Sequence, residues 1–168
     1  MLVPLGAGTL FVGLALASAS PATKPAAADA LPAIADASGR SIAIAGFHGK
    51  TIIVNFWASW CVPCRAELPS LERVAVTNPG RLVIIAASVD VDRTAAAKAF
   101  GTRYPHLKLG YASLAAVQDY GALSMPYSVV FDRQGKERRR IPRALEWDGA
   151  AAGALLASAC LSTAGHTK

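Results

Sequence analysis

Cysteine is scarce in this sequence, with three residues among 168, and this number excludes a small domain held together by several disulfides. Charged residues amount to 17% against 53% hydrophobic residues, a balance that excludes an intrinsically disordered chain. The 14 glycines and 10 prolines follow no regular period, which excludes a collagen-like fibre. These exclusions leave a globular protein, and a length of 168 residues fits one domain with additional segments.

Residues 1–19 carry no charged side chain and are mostly apolar. The run ends in Ala17-Ser18-Ala19, the small-residue form that signal peptidase cleaves. We therefore predict an export signal or, if it is not cleaved, a membrane anchor, because the run is about 18 residues long, the lower limit for crossing a bilayer. Both alternatives place the chain in the periplasm or on the extracytoplasmic face of the membrane. Residues 20–38 are rich in Ala and Pro and read as a linker.

From residue 39 to 168 we predict one domain in which strands alternate with helices. Continuous apolar, β-branched runs predict buried strands at 51–56, 82–87 and 128–131, and a turn leads to a hairpin partner at 136–141. Helices are expected at 61–77, 92–104, 114–120 and 147–161, with a short extra N-terminal strand at 41–45. This order predicts an α/β fold whose mixed central sheet is parallel at first and antiparallel at the end.

Cys61 and Cys64 form a Cys-x-x-Cys pair between a predicted strand and a predicted helix. A zinc site would need a second pair or nearby histidines, but the sequence offers only Cys160 and three scattered histidines. A haem attachment site would need His after the second cysteine, where this chain has Arg65. A structural disulfide would close too short a loop to stabilise much. The strand–loop–helix context therefore favours a redox pair.

The predicted helix start gives the two cysteines different properties. A thiol at a helix N-terminus faces unsatisfied N–H groups and the positive end of the dipole, which lowers its pKa from an ordinary value of about 8.5. Pro63 lacks an N–H and suits the first turn. Cys64 lies nearly one turn further and is more shielded, so we expect Cys61 to attack and Cys64 to resolve.

The segment 54–69, VNFWASWCVPCRAELP, resembles the thioredoxin superfamily. It is most similar to the exported TlpA/ResA-like branch, which includes the cytochrome c maturation thioredoxins, and the likeness extends from about residue 39 to 161. Ser124-Met125-Pro126 matches the family's cis-proline motif, which implies that Pro126 faces the cysteines. The resemblance implies a thioredoxin-like fold and a partner-binding surface, formed here by Trp60, Val62, Pro63, Met125 and Pro126.

Two positions distinguish this chain from cytoplasmic thioredoxin. The resemblance aligns thioredoxin's buried aspartate with Asn55, which cannot take a proton. Glu67, three residues past Cys64, resembles the acidic residue of the TlpA/ResA branch. No cation stands three or four residues from it, so a helical ion pair is not expected. We hypothesise that Glu67 is a catalytic residue that tunes the thiol pKa values or relays a proton.

The resemblance implies an exported thiol–disulfide oxidoreductase with no cofactor beyond the Cys61–Cys64 disulfide and no metal. It implies a reductant in cytochrome c or metalloprotein maturation, with a transmembrane thiol carrier as electron donor and apocytochrome c or a metal-delivery protein as acceptor. A thioredoxin-fold peroxidase and a copper-chaperone-like metal-binding protein remain the alternatives. Cys160 is expected to be a small buried residue, with intermolecular pairing as the other interpretation.

Two further groups of charged residues have alternative interpretations. Asp90 and Asp92 follow a predicted strand and could form a metal pair, but capping is the favoured role. The stretch 133–143 is strongly basic and forms either a solvated hairpin edge or a patch for anionic lipid head groups. Nucleic acid is not expected as a partner, because no aromatic residues interleave with the basic ones. The basic residues are Arg133, Lys136, Arg138, Arg139, Arg140 and Arg143.

Overall fold

The structure is a computed structural model that describes residues 31–161, the side chains of the last three excepted. The predicted export segment and most of the predicted linker lie outside these residues, as does the Cys160 side chain. The five strands are β1 Thr51–Trp57, β2 Leu82–Ser88, β3 Lys108–Tyr111, β4 Tyr127–Phe131 and β5 Glu137–Ile141. The four α-helices are α1 Val62–Thr77, α2 Arg93–Phe100, α3 Leu114–Asp119 and α4 Ala150–Leu161. In this part of the chain, no helix is long and apolar enough to cross a membrane.

The five strands form one sheet in the order β3-β2-β1-β4-β5. β1 is buried along its whole length, as expected of an apolar strand at the centre of a sheet covered on both faces. It pairs in parallel with β2 and antiparallel with β4, and β5 adds to β4 as an antiparallel hairpin. The predicted mixed sheet, parallel first and antiparallel at the end, is confirmed.

Four local features differ from the expectation. β3 was not predicted. The N-terminal strand predicted at 41–45 is absent, and Ser41 forms only a single bridge with Ala35. Residues Ile44–Phe47 form a 3-10 helix instead. α2 ends at Phe100 because Gly101 has a φ of +60°. α4 begins at Ala150, not at Trp147, whose backbone N–H is held by the Ser70 hydroxyl at 3.1 Å.

The folded domain begins before residue 39. Ile34 is buried, and Ala35 exchanges two backbone hydrogen bonds with Tyr111, of 3.0 and 2.8 Å. Gly110 permits this close approach, since a Cβ built there would lie 2.6 Å from the Ile34 Cγ2. The segment around residue 34 thus covers the β3 edge of the sheet.

Candidate active site

Cys61 and Cys64 form a disulfide at the amino end of α1, with their Cα atoms 5.3 Å apart. Cys61 is the N-cap residue, and its Sγ accepts a hydrogen bond of 3.3 Å from the Cys64 N–H. Pro63 stands in the first turn of the helix. Cys61 is 6% exposed and Cys64 0%, so the cysteine at the helix start is the one that a partner can reach. That sulfur lies where the helix N–H groups stabilise negative charge.

A shallow groove on the surface brings most of the predicted partner-binding residues together. The peptide bond between Met125 and Pro126 is cis, and Pro126 itself is buried. Trp60, Val62 and Leu123 are 62%, 66% and 90% exposed, which makes the groove strongly apolar. The residues that line it are Trp60, Cys61, Val62, Pro63, Leu114, Gln118, Ala122, Leu123, Ser124 and Met125.

Leu123 was missed at the sequence level. It stands three residues before Pro126 in a loop of small and polar residues, where one leucine gives no pattern. Trp57, by contrast, is fully buried and packs against Phe100 with ring centroids 6.0 Å apart. Of the two tryptophans that flank the loop, therefore, only Trp60 belongs to the surface of the groove.

Glu67 is buried, with 2% of its surface exposed, and is held by three donors. Oε1 accepts from the Trp147 Nε1 at 2.6 Å and from the Leu145 N–H at 3.1 Å, and Oε2 accepts from the Asn55 Nδ2 at 3.0 Å. Burial raises the pKa of Glu67 above its ordinary value, and these hydrogen bonds only partly oppose the shift. Together with Pro63, Glu67 also lines a small surface cavity of about 210 Å³. The carboxyl group is thus buried and held by hydrogen bonds on the helix that carries the disulfide, one turn past Cys64.

Asn55 continues this buried polar cluster into the sheet. Its Nδ2 also donates to the Ser128 Oγ at 2.9 Å. Its Oδ1 is buried and has no hydrogen-bond partner among the described residues. Asn55 therefore orients the Glu67 carboxylate from β1 while leaving one acceptor unused.

Asp90 positions the loop before the disulfide, a role that the sequence did not reveal. It accepts hydrogen bonds from the Ser59 N–H at 2.8 Å, the Ser59 Oγ at 2.6 Å and the Ser88 Oγ at 2.7 Å. The capping role favoured for both aspartates holds only for Asp92, which accepts from the Thr94 N–H at the start of α2. The signal that could have found Asp90 is its place at the carboxyl end of β2, beside the end of β1.

Among the described side chains, which end at residue 158, no three His, Cys, Asp or Glu residues lie close enough to hold a metal ion. The reactive feature of the site is the disulfide itself. A five-stranded thioredoxin-like sheet with a Cys-x-x-Cys disulfide at a helix N-terminus, beside a cis-proline loop, defines the class: thioredoxin-like proteins with a redox-active cysteine pair.

The chain belongs to the Redoxin family, whose sequence model matches residues 25–155. It is 33% identical over 107 residues to the thiol-disulfide oxidoreductase ResA of Bacillus thuringiensis, covering 61% of this chain and 61% of that protein. It is 34% identical over 120 residues to the thiol:disulfide interchange protein DsbE of Pseudomonas aeruginosa, covering 70% and 64%. The chain thus spans less than two thirds of the length of these relatives. The resemblance to ResA-like thioredoxins is confirmed.

Solved structures show the same fold. The thio-disulfide isomerase of Thermus thermophilus aligns with a TM-score of 0.62 and 26% identity, covering 82% of this chain and 97% of that one. A secreted disulfide oxidoreductase of Mycobacterium tuberculosis aligns with a TM-score of 0.59 and 24% identity, covering 76% and 95%. The second likeness is one of fold alone.

Proposed function

We propose that this protein is an extracytoplasmic thiol–disulfide oxidoreductase that reduces disulfides in partner proteins through Cys61 and Cys64. The observation that carries the proposal is the disulfide at the amino end of α1, in which Cys61 is the N-cap and the more exposed cysteine. The activities named for the relatives support it. The apolar segment 1–19 supports an extracytoplasmic location.

The reaction is a pair of thiol–disulfide exchanges. The Cys61 thiolate attacks one sulfur of the partner disulfide, forms a mixed disulfide and releases the other partner sulfur as a thiolate, which takes up a proton. The Cys64 thiolate then attacks the Cys61 sulfur, closes the Cys61–Cys64 disulfide and releases the second partner thiol. The partner gains two electrons and two protons, and the pair loses them. A dithiol donor must then restore both thiols by the reverse exchange.

The resemblance to the TlpA/ResA branch supports a more specific role within this activity. The acceptor would be apocytochrome c or a metal-delivery protein, and the donor a transmembrane thiol carrier. The exposed apolar groove supports a polypeptide acceptor, because Trp60, Val62 and Leu123 offer contact area beside Cys61. We expect the partner to carry an apolar residue next to the cysteine that forms the mixed disulfide.

The activity is tested by dithiothreitol-coupled insulin reduction. We expect the wild-type chain to accelerate the reaction with and without chelator, Cys61→Ser to abolish it, and Cys64→Ser to accumulate a mixed disulfide. Activity lost on chelation would instead indicate the metal-binding alternative, and hydrogen peroxide consumption without insulin reduction the peroxidase. The reduction potential decides the direction, since about −270 mV favours a reductant and about −120 mV an oxidant.

Glu67 has a separate proposed role in tuning the thiols. It lies one helical turn past Cys64, and its carboxylate disfavours a nearby thiolate. We expect Glu67→Gln to lower the pKa of the Cys61 thiol, because the variant removes a negative charge that disfavours the thiolate; the pH dependence of alkylation measures the change. Glu146→Gln is the matched control, because Glu146 is an exposed carboxylate of the neighbouring loop. Equal thiol pKa values in wild type and Glu67→Gln would contradict the role.

A further inference from the structure

The end of the sheet opposite the disulfide carries a cluster of positive charge. The backbone at the start of β1 lies between two loops, because the Thr51 N–H donates to the Arg81 carbonyl at 3.0 Å and the Gly49 N–H to the Arg133 carbonyl at 2.8 Å. These hydrogen bonds bring together basic residues from three separate parts of the chain. We call this cluster the basic pole; it consists of Lys50, Arg81, Arg133 and Lys136.

The neighbouring carboxylates do not neutralise the basic pole. Asp132 is bound by the Arg138 Nε at 2.7 Å, and Asp148 by the Arg73 Nε at 2.5 Å. Among the described residues, no residue of the basic pole takes part in an ion pair. The Arg133 Nε is moreover buried without a hydrogen-bond acceptor in that part of the chain. A buried unpaired N–H is unfavourable, and an anion at this position would supply the acceptor that it lacks.

A cavity opens at the basic pole between α1 and α4. It measures about 460 Å³, and Arg81, Arg133 and the already paired Asp148 contribute to its wall. The remaining wall is largely apolar and includes Val74, Leu82, Trp147 and Leu156. Two guanidinium groups that have no ion pair within the described part of the chain, beside an apolar wall, match a ligand that joins a negative head to an apolar body.

We propose that the basic pole docks the domain on a bilayer that contains anionic phospholipid, with the lipid phosphate on Arg81 and Arg133. Guanidinium groups bind phosphate oxygens in pairs, and basic clusters are drawn to anionic membrane surfaces. Single-stranded nucleic acid would need exposed aromatic side chains for stacking, whereas Trp147, the one aromatic residue of the cavity wall, is fully buried. The assignment is independent of the proposed redox activity.

Docking at this pole orients the cysteines away from the membrane. The seven residues of β1 span roughly 20 Å, with Thr51 at the cavity and Trp57 next to the loop that leads to Cys61. The bilayer and the disulfide therefore lie at opposite ends of the central strand. A docked domain presents the groove beside Cys61 to partners that approach from the aqueous side.

Flotation of the full chain with vesicles tests the proposal. We expect vesicles that contain phosphatidylglycerol to bind more protein than vesicles of phosphatidylcholine alone, and high salt to remove the difference. Binding to the neutral vesicles measures any contribution from the apolar residues 1–19, which does not depend on lipid charge. Arg81→Gln combined with Arg133→Gln should reduce the charge-dependent part roughly tenfold or more. The control variant, Arg93→Gln combined with Arg143→Gln, removes the same number of positive charges near the disulfide end of the sheet. It should keep the charge-dependent part of the vesicle binding.

Several results would overturn the proposal. Equal binding to the two kinds of vesicle, or equal losses in the two double variants, would exclude a lipid site at the basic pole. Full competition by inorganic phosphate would indicate a site for free anions, and retention on an acidic protein without vesicle binding would indicate a protein partner. The orientation is tested by alkylation of Cys61 with a charged reagent in the reduced, vesicle-bound protein. We expect the same rate as in the free protein, and strong protection would contradict an orientation with the cysteines away from the membrane.

Discussion

Trp147 and Glu67 are joined by a buried hydrogen bond in which the indole Nε1 donates to Oε1 over 2.6 Å. The two residues are 80 positions apart, one in the loop before α4 and the other in the helix that carries the disulfide. The same carboxylate oxygen accepts the Leu145 N–H from that loop. The helix that carries the disulfide is therefore tied, through the Glu67 carboxyl group, to a distant part of the chain.

Glu67 will make the folded protein less stable as the pH rises. Its pKa is raised above the ordinary value of 4.5 by burial, so the folded state keeps a proton that the unfolded state releases. The stabilisation that this proton provides is complete below about pH 4.5 and is lost as the pH rises through the folded pKa.

Urea unfolding of the oxidised wild type and Glu67→Gln over this pH range measures the effect. The difference in unfolding free energy, wild type minus variant, should fall with increasing pH, because glutamine does not titrate. Parallel curves for the two proteins would contradict the raised pKa.

Replacing Trp147 will cost more stability than replacing the other buried tryptophan. Trp147→Phe removes the donor to Glu67, and loss of a hydrogen bond to a carboxylate costs about 1.5–3 kcal/mol. Trp57→Phe is the control, because Trp57 is equally buried but its Nε1 has no partner among the described residues. The unfolding free energies of the two variants at neutral pH should differ by about the cost of that hydrogen bond, and equal losses would show that it contributes little.

Removing Asp90 will loosen the loop that precedes the disulfide. Asp90→Ala leaves the Ser59 N–H without its acceptor, and we expect a loss of about 1–3 kcal/mol in stability. Hydrogen exchange of the Ser59 amide should become faster, and alkylation of reduced Cys61 should change its rate. Asp92→Ala, which removes the cap of α2 at a cost of about 1 kcal/mol, should leave the Ser59 amide protected. Unchanged exchange in Asp90→Ala would refute the positioning role.

A methyl group at position 110 will displace the N-terminal segment. In Gly110→Ala the new Cβ meets the Ile34 Cγ2 at 2.6 Å and the Ile42 Cδ1 at 3.3 Å, and such overpacking costs about 1–3 kcal/mol. Gly46→Ala is the control, since nothing lies within 4 Å of its Cβ. Adding Ile34→Ala to Gly110→Ala should recover part of the loss. Strictly additive costs in thermal unfolding would argue against the contact.

Each correctly predicted part of the fold has its own sequence pattern, contained within one short segment of the chain. β1 and β2 are continuous apolar runs, and a strand covered on both faces needs that pattern. Cys61 and Cys64 were placed at a helix start because a loop follows the first of these strands. β3 carried no such signal: it has four residues, including a lysine and a glycine, and it exists because it pairs with β2.

The mixed sheet, the helix that begins after Cys61 and the Cys-x-x-Cys pair follow from the amino-acid sequence, because hydrophobic pattern and cysteine spacing are local properties. The three donors around Glu67, the hold of Asp90 on the loop at Ser59, and the cavity that Arg81 and Arg133 share are visible only in the folded chain. The partners in each of these sets are far apart in the chain. Their hydrogen bonds and charges depend on how the strands and helices pack, and no single segment of the sequence encodes that packing.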